Sequence, residues 1–294
     1  MVALNGVNFF AGTDEPDFIT GTAGNDALFG KKGNDSLIGL AGEDALSGGD
    51  NDDNLRGEAG DDNLDGGRGN DALNGGDNND TLTDNNGDNT LNGDAGNDTL
   101  TISGEGKSTL NGGDGNDKLT VEGNDKGVYT LNGENGTDEL RGGAGENTLD
   151  GGNDDDKLFS GTGINRLSGG NGNDELYSQG PIDLLTGGAG NDKFYVSPDN
   201  PPNITDFGTG LDKVVFAAAA LIVTTGSLPI GDLDPALFTI GAGPSTDTTY
   251  FIYDDTSGQV FFDPDGIGSA SQRLVAQLSA GAPLDSSGIS IAEF

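Results

Sequence analysis

The sequence of 294 residues contains no cysteine and no histidine. Without cysteine, the chain has no disulfide framework, no thiolate metal site and no thiol nucleophile. Without histidine, it lacks the commonest general base of enzymes and the commonest ligand of transition metals. Any metal site must therefore be built from oxygen ligands, which are the ligands that calcium prefers.

Basic and aromatic residues are also scarce. Aromatic residues make up 6% of the chain and 54 residues are glycine, so an ordinary globular core cannot extend along the whole length. Thirteen basic residues face 50 acidic ones, which gives a net charge of −37. Such a charge excludes electrostatic binding to nucleic acid or to an anionic membrane, and it favours a cation as partner.

No targeting segment or membrane span is expected from the sequence. The first residues, MVALNGVNFFAGTDEPD, lack the basic and apolar regions of a cleaved signal peptide. The most apolar run, Val214 to Val223, is too short to span a bilayer.

An apolar residue recurs with a period of nine. The first series is Ile19, Leu28, Leu37, Leu46, Leu55, Leu64, Leu73, Leu82, Leu91 and Leu100. After one inserted residue it continues with Leu110 and Leu119, and after three more with Leu131, Leu140, Leu149, Leu158, Leu167, Leu176, Leu185 and Phe194. These are twenty repeats across residues 12–195, and such a period predicts a solenoid.

Each nine-residue unit predicts one turn and one strand. A Gly-rich turn such as GGDGND (112–117) precedes a three-residue strand such as KLT (118–120). Because neighbouring residues of a strand point to opposite sides, the middle apolar residue faces inward. Two units then make one coil of a flattened solenoid, each strand stacks on the strand eighteen residues away, and the repeats give about ten coils.

The residue two places before each apolar residue lies on one of two edges of such a coil. The even edge carries Asp26, Asp44, Asp62, Asp80, Asp98, Asp117, Asp138, Asp156, Asp174 and Asp192. The odd edge carries Asp17, Asp35, Asp53 and Asp71, then Asn89, Ser108, Tyr129, Asn147 and Asn165, and finally Asp183. One edge is thus predicted to be acidic throughout, and the other to lose its acids through its second half.

A row of stacked aspartates requires a cation. Carboxylates roughly 5 Å apart repel each other by ~3 kcal/mol per neighbouring pair at an effective dielectric near 20. A divalent ion between successive turns would reverse the sign of this interaction. The even edge has nine gaps and the run from Asp17 to Asp71 has three, so the spacing predicts about twelve strong calcium sites.

The repeat unit is similar to the RTX (repeats-in-toxin) calcium-binding repeat, whose pattern is G-G-x-G-x-D-x-apolar-x. Close matches are GGRGNDALN (66–74), GGDGNDKLT (112–120), GGNGNDELY (169–177) and GGAGNDKFY (187–195). The resemblance covers about 60% of the chain. It implies a right-handed parallel β-roll with calcium between turns that lie two repeats apart.

The resemblance also implies the ligands, which in that family are the motif aspartate and the carbonyls of the preceding Gly and x positions. Here they are the aspartates of both edges, Asp183 included, and the turns at Gly24, Gly42, Gly60, Gly76, Gly96, Gly113, Gly115, Gly136, Gly152, Gly170, Gly172, Gly188 and Gly190. Glu15 and Asn78 replace the fourth-position glycine, and Ser108 and Tyr129 cannot act as the carboxylate. Asn89, Asn147 and Asn165 offer a neutral oxygen, which leaves weak binding open in their turns.

The predicted domains are an N-terminal cap (1–11), the β-roll (12–195) and a small β-rich capping domain (196–294). In the last of these, TYFIYDDTSGQVFFDPDG (249–266) predicts a hairpin around Asp254–Gly258, and SASQRLVAQLS (269–279) predicts a short helix. The end, GISIAEF, predicts a final strand. The fold class is therefore all-β.

By the same resemblance we expect a secreted, extracellular or cell-surface, non-enzymatic calcium-binding protein that type I secretion machinery exports through a C-terminal signal. A structural or matrix role is favoured. One alternative is an accessory fragment of an RTX toxin or enzyme, although the array starts within a dozen residues of Met1 and residues 196–294 offer only acids such as Asp254 and Asp263. Another is an ice-binding roll with threonines on its outer face, although the later repeats do not continue a regular array of threonines.

Overall fold

The computed structural model describes residues 2–4, 6–123, 126–208, 211–223, 226–241, 249–265 and 272–293. The chain divides into two compact units, Met1–Asn153 and Asp154–Phe294. The regular elements in the described ranges are β-strands and three short 3-10 helices, which confirms the all-β fold. No helix in these ranges is long and apolar enough to cross a bilayer.

The first unit consists of strands and turns. Its strands are β1 (Val2–Leu4), β2 (Val7–Ala11), β3 (Phe18–Thr20), β4 (Asp26–Lys32), β5 (Ser36–Ala41), β6 (Ala45–Asp50), β7 (Asn54–Ala59), β8 (Asn63–Arg68), β9 (Ala72–Asp77), β10 (Thr81–Asp84), β11 (Thr90–Ala95), β12 (Thr99–Ser103), β13 (Lys107–Asp114), β14 (Lys118–Glu122), β15 (Val128–Asn135), β16 (Glu139–Arg141) and β17 (Glu146–Asn153).

Successive strands of the first unit alternate between two sheets. One sheet has the order β1-β2-β4-β6-β8-β10-β12-β14-β16, and the other has the order β3-β5-β7-β9-β11-β13-β15-β17. Apart from the antiparallel pair β1 and β2, the strands of both sheets are parallel. One coil of the chain thus adds one strand to each sheet, which is the predicted parallel β-roll.

The second unit continues this pattern and ends in a more varied β-structure. Its strands are β18 (Lys157–Phe159), β19 (Asn165–Asn171), β20 (Glu175–Tyr177), β21 (Leu184–Ala189), β22 (Lys193–Val196), β23 (Asn203–Ile204), β24 (Lys213–Ala217), β25 (Ile222–Val223), β26 (Gly226–Ser227), β27 (Gly231–Asp232), β28 (Phe238–Ile240), β29 (Phe251–Asp254), β30 (Gln259–Phe262), β31 (Arg273–Leu278) and β32 (Ile289–Ala292). Its 3-10 helices are Ala218–Ala220, Pro235–Leu237 and Ser286–Gly288.

The inward residues stack in register, as the nine-residue period predicts. In the first unit, Leu46 pairs with Leu64 and Leu64 pairs with Leu82, eighteen residues apart. The inserted residues lengthen the interval without shifting the register, because Leu110 pairs with Leu131. Apart from Ile19, which is half-buried, the repeated apolar residues are buried. Each roll therefore has a narrow core made mainly of leucine, between two sheets with polar outer faces.

Most strands are longer than the three residues that the sequence predicts. Strand β8 includes Gly66 and Gly67 of the next motif, and β13 runs through eight residues. The first glycines of each motif still hydrogen-bond to the neighbouring coil, so the turn begins later than expected. After β8 only Gly69 and Asn70 precede Asp71, and after β13 only Gly115 and Asn116 precede Asp117.

The end of the second unit extends both sheets with strands that lie outside the nine-residue period. Strand β24 pairs in parallel with β22 and with β32, which confirms a strand in the final segment. Strands β29 and β30 form the predicted antiparallel hairpin. Buried aromatic side chains pack together in this part of the unit, where Phe251 contacts Phe216 and Phe262. This packing gives the end of the roll the large apolar side chains that the repeats lack.

The predicted helix at 269–279 is wrong where the structure describes it. Residues 272–278 contain strand β31, antiparallel to β30 and parallel to β23, while residues 269–271 lie outside the described ranges. Without this segment, β30 and β23 would each have an unpaired edge. Backbone hydrogen bonds in the sheet therefore override the weak helical pattern of the segment. Val275 and Leu278 are buried in this strand.

Candidate metal centre

The even-edge aspartates of the first unit form a continuous hydrogen-bonded row. The backbone nitrogen of each one donates to Oδ1 of the aspartate one coil further on, at 2.7–2.8 Å. The pairs are Asp26 to Asp44, Asp44 to Asp62, Asp62 to Asp80, Asp80 to Asp98, Asp98 to Asp117 and Asp117 to Asp138. These side chains are at most 3% exposed, so the row lies inside the edge of the roll.

In the second unit an equivalent row reaches one residue beyond the repeats that the sequence reveals. Asp156 donates to Asp174, Asp174 to Asp192, and Asp192 to Asp212 at 3.1 Å. Asp212 precedes Val214 by two residues, and Val214 stacks on Phe194. In the sequence, Asp212 can be recognised by the spacing of Gly208, Gly210, Asp212 and Val214, which repeats the motif after a two-residue insertion.

The odd edge carries the same row over its first four aspartates. Asp17 donates to Asp35, Asp35 to Asp53, and Asp53 to Asp71, each at 2.7 Å. The next acceptor is Oδ1 of Asn89, at 2.9 Å from the backbone nitrogen of Asp71. An amide thus takes over the hydrogen bond of the ladder, but it brings no negative charge.

The second oxygen of many of these carboxylates is buried without any hydrogen-bond donor. Within the two units this holds for Oδ2 of Asp35, Asp44, Asp53, Asp62, Asp71, Asp80, Asp98, Asp117, Asp174 and Asp192. A buried, unsatisfied carboxylate oxygen is costly unless a cation or a proton occupies the place beside it. The arrangement therefore fits a row of divalent cations along each edge.

The first glycine of each motif makes room beside this oxygen. A Cβ atom at Gly57 would overlap Oδ2 of Asp62 and the carbonyl oxygen of Gly75 on the next coil. The same holds at Gly39 with Asp44 and Gly57. Each such glycine thus leaves a small space lined by one carboxylate oxygen and one backbone carbonyl, both of which are calcium ligands by type.

Most of the glycines that the resemblance points to have a backbone conformation that favours glycine, and their carbonyls as ligands stay a prediction. Positive φ angles occur at Gly42, Gly60, Gly76, Gly96, Gly113, Gly115, Gly136, Gly152, Gly170, Gly172, Gly188 and Gly190. A Cβ at Gly60 would overlap the carbonyl of Gly42, so these positions let successive turns approach closely. Gly24 has free space where a Cβ would lie. The sequence interpretation missed the first-position glycines, which line the carboxylate.

Three predicted ligands already have hydrogen-bond donors on the second oxygen. Oδ2 of Asp17 accepts from the backbone and hydroxyl of Thr13, and Oδ2 of Asp26 accepts in the same way from Thr22. The carboxylate of Asp183 is also fully occupied. Asn165 donates to its Oδ1, while the Ser178 hydroxyl and the Gly180 nitrogen donate to its Oδ2.

Burial and mutual repulsion disfavour the charged form of the stacked carboxylates. Removal from water is the largest cause, and the neighbouring aspartates add to it. Together they raise the pKa of Asp80 to about 8, of Asp53 to about 7 and of Asp98 to about 6. Without cations, Asp80 would hold a proton at neutral pH, Asp53 would be about half protonated, and Asp98 would be mainly charged.

The degenerate half of the odd edge has hydrogen-bond donors where the first half has acids. The amide nitrogen of Asn147 donates to the carbonyls of Gly143 and Gly145 at 3.2 and 3.1 Å. Corresponding bonds run from Asn89 to the Asn85 carbonyl, from Ser108 to Gly87, from Tyr129 to Gly104 and from Asn165 to Gly163. These donors satisfy the turn carbonyls in place of an ion.

No group of three or more acidic side chains is already gathered into one cluster among the described residues. At Gly39 and Gly57, the space between turns instead combines one carboxylate oxygen with a backbone carbonyl oxygen of the next coil. Such mixed oxygen sites suit calcium, which accepts six to eight ligands in flexible geometry, better than magnesium.

Comparison with known families agrees with this geometry. The family model of the RTX calcium-binding nonapeptide repeat (4 copies) matches residues 2–37, 38–73, 74–101, 102–125, 132–167, 150–180, 159–193 and 168–200. These segments together cover more than half of the chain. A comparison with curated proteins finds no match.

Proposed function

This chain belongs to the family of RTX calcium-binding nonapeptide-repeat proteins, and on this premise we propose that its repeats bind calcium between stacked turns and fold as they do so. The observation that carries the proposal is the row of buried, unpartnered Oδ2 atoms on the motif aspartates. Bound calcium would supply the positive charge that these oxygens lack.

The ligands that we assign are the aspartates with an unpartnered oxygen and the first-position glycine carbonyls beside them, such as Asp62 with Gly75. About twelve ions would add about +24 to the formal charge of −37, so the loaded protein stays acidic, at about −13. The degenerate turns, where Asn147 and its equivalents donate to carbonyls, are assigned no ion.

Coupled binding and folding follows from the energetics of the row. A thin leucine core and many glycines offset little chain entropy, while the stacked carboxylates repel one another. Binding energy then becomes folding energy, because no site exists in the unfolded chain. The protein would be unfolded at the low calcium of a cytosol and folded outside the cell.

We further assign a secreted, extracellular location, with export by a type I system. Family membership supports this assignment, since RTX repeat proteins are generally secreted that way. A structural role without enzymatic activity fits the absence of histidine and cysteine. It also fits Asp254, whose carboxylate is engaged by Thr256 and Ser257 in the hairpin turn.

A calcium titration tests the proposal. Circular dichroism should show little strand in chelator and cooperative folding on addition of calcium. The variant Asp80→Asn should raise the calcium concentration at the midpoint at least tenfold, because changes even outside the first ligand shell cost roughly 10 to 100-fold in metal affinity. Asp77→Asn makes the same charge change at an exposed position of that turn and should leave the midpoint nearly unchanged. A chain that is fully folded in chelator, or equal midpoints for the two variants, would contradict the proposal.

A further inference from the structure

Asp84 is a buried carboxylate that the repeat pattern does not explain. It ends strand β10 and occupies the first position of the turn DNNGDN (84–89), where the motif has glycine. The side chain is 1% exposed. Its Oδ1 accepts a hydrogen bond from the backbone of Asn85 at 2.7 Å, and its Oδ2 has no hydrogen-bond partner.

The carboxylate of Asp84 lies in the space that Gly66 leaves open. In other turns, a Cβ at the first-position glycine would overlap Oδ2 of the aspartate five residues later, as Gly48 shows with Asp53. At Gly66 the overlapping atom is instead Oδ2 of Asp84, and the Cβ of Asp71 lies 2.9 Å away. Asp84 therefore puts its oxygen where a motif carboxylate oxygen normally lies.

This position is where the odd edge loses its sixth-position acid. Asp71 is the last aspartate of the odd-edge row that begins at Asp17, and its Oδ2 is buried and unpartnered. Its neighbour Asn89 accepts from the Asp71 backbone but turns its amide nitrogen to the Asn85 carbonyl. An NH₂ group cannot bind a cation. Asp84 restores the missing negative charge from a different position of the same turn.

Among the residues that the structure describes, no basic side chain forms an ion pair with this carboxylate. The carboxylates that act on Asp84 electrostatically are Asp71, Asp65 and Asp53. The ion pairs among the described residues include neither Asp71 nor Asp84. Two buried, unpartnered carboxylate oxygens near one glycine carry a strong negative potential, and a divalent cation is the natural counter-ion.

We propose that Asp84 and Asp71 hold an additional calcium ion at the odd edge, with Asp84 supplying the carboxylate that Asn89 lacks. This inference rests on the proposed calcium-binding function and adds one site that the motif does not specify. The calcium-loaded part of the odd edge then ends with Asp84, and the turns that follow close through Ser108, Tyr129 and Asn147.

The test counts bound calcium in the full chain by native mass spectrometry at saturating calcium. Asp84→Asn should bind one ion fewer than the parent protein. The double variant Asp84→Gly with Asn89→Asp moves the carboxylate back to the sixth position and should restore the parent count. Asp88→Asn, an exposed change in the same turn, should keep the full count.

The outcomes separate this inference from the proposed function. If Asp84→Asn binds as many ions as the parent, Asp84 is only a protonated buried carboxyl, and the inference is overturned while calcium binding stands. If the parent binds no calcium, the proposed function itself fails. Should Asp84→Asn fail to fold, the double variant decides whether Asp84 binds an ion. If Asp84 had only a structural role, an acid at position 89 would not restore the parent ion count.

Discussion

The backbone nitrogen of Asp62 donates a hydrogen bond of 2.8 Å to Oδ1 of Asp80, eighteen residues later in the sequence. In Asp62 and Asp80, one carboxylate oxygen joins successive coils, and the other is left without a donor. The same side chain therefore belongs both to the fold and to the ion site. Loss of the ion leaves a buried charge in the structural ladder itself, which explains why binding and folding should be one event.

Acidification should weaken calcium binding and should stabilise the metal-free roll. The pKa of Asp80 is raised to about 8 and that of Asp53 to about 7, from 3.8. A raised pKa means that the metal-free folded state binds protons more tightly than the unfolded state. The raised pKa values therefore do not destabilise the metal-free folded state below about pH 4. Their destabilising effect grows as pH rises and reaches its full size above about pH 8.

Calcium must displace these protons, so its affinity should fall by at least about tenfold between pH 8 and pH 6. Isothermal titration at both pH values measures the change. Circular dichroism in chelator, kept above pH 5 because the isoelectric point is near 4.1, should show more strand as pH falls. Equal affinity at pH 6 and pH 8 would show that the carboxylates are not the ligands.

The space beside each carboxylate can be tested through its glycine. In Gly57→Ala, the new Cβ would overlap Oδ2 of Asp62 and the carbonyl of Gly75. Relief of that overlap moves a ligand atom, at a cost of about 1–3 kcal/mol, which is roughly 5- to 150-fold in calcium affinity. Gly24→Ala is the matched control, since a Cβ there meets no atom within 4 Å. Similar losses in both variants would point to a general effect of losing glycine.

The period of nine predicted the sheets, the core and the rows of aspartates, because a roll repeats one backbone geometry and any residue with that period must recur at the same place. The roles of individual glycines were harder to predict. A glycine lies five residues before each odd-edge aspartate from Asp17 to Asp71 and before each even-edge aspartate from Asp26 to Asp192. In the remaining odd-edge turns, the residues at this first position are Asp84, Ser103, Asn124, Gly142, Ser160 and Ser178. That contrast was visible, but only the structure connects it with the carboxylate oxygen.

Two other features depended on contacts outside the repeat. Asp212 follows a two-residue insertion that breaks the count, although its coil still pairs with the roll. Strand β31 forms because β30 and β23 offer it hydrogen-bonding edges, which its own sequence does not reveal. Short-range patterns therefore failed at the end of the roll, where non-local pairing decides the conformation.

The leucine core should contribute to stability independently of the ions. Leu91 is fully buried and stacks between Leu73 and Leu110. Leu91→Ala should lower the free energy of unfolding by about 2–5 kcal/mol in saturating calcium, since it leaves a cavity between sheets. Thr90→Ala, at the exposed neighbouring position, should change it by less than about 0.5 kcal/mol. Thermal unfolding measures both, and a tolerated Leu91→Ala would mean that the core is not closely packed.

The degenerate half of the odd edge should resist conversion into an ion site by a single acid. In Asn147→Asp, a carboxylate oxygen would face the carbonyls of Gly143 and Gly145, which now accept from the amide nitrogen. The coil before it offers Tyr129, which is not an acid, so no second carboxylate is in place. We expect no gain in bound calcium by native mass spectrometry and a loss of about 1–3 kcal/mol in stability, because two carbonyls lose their donor. Asn63→Asp adds the same charge on the exposed face and should be nearly neutral. A gained ion with unchanged stability would show that one carboxylate and the turn carbonyls suffice for binding.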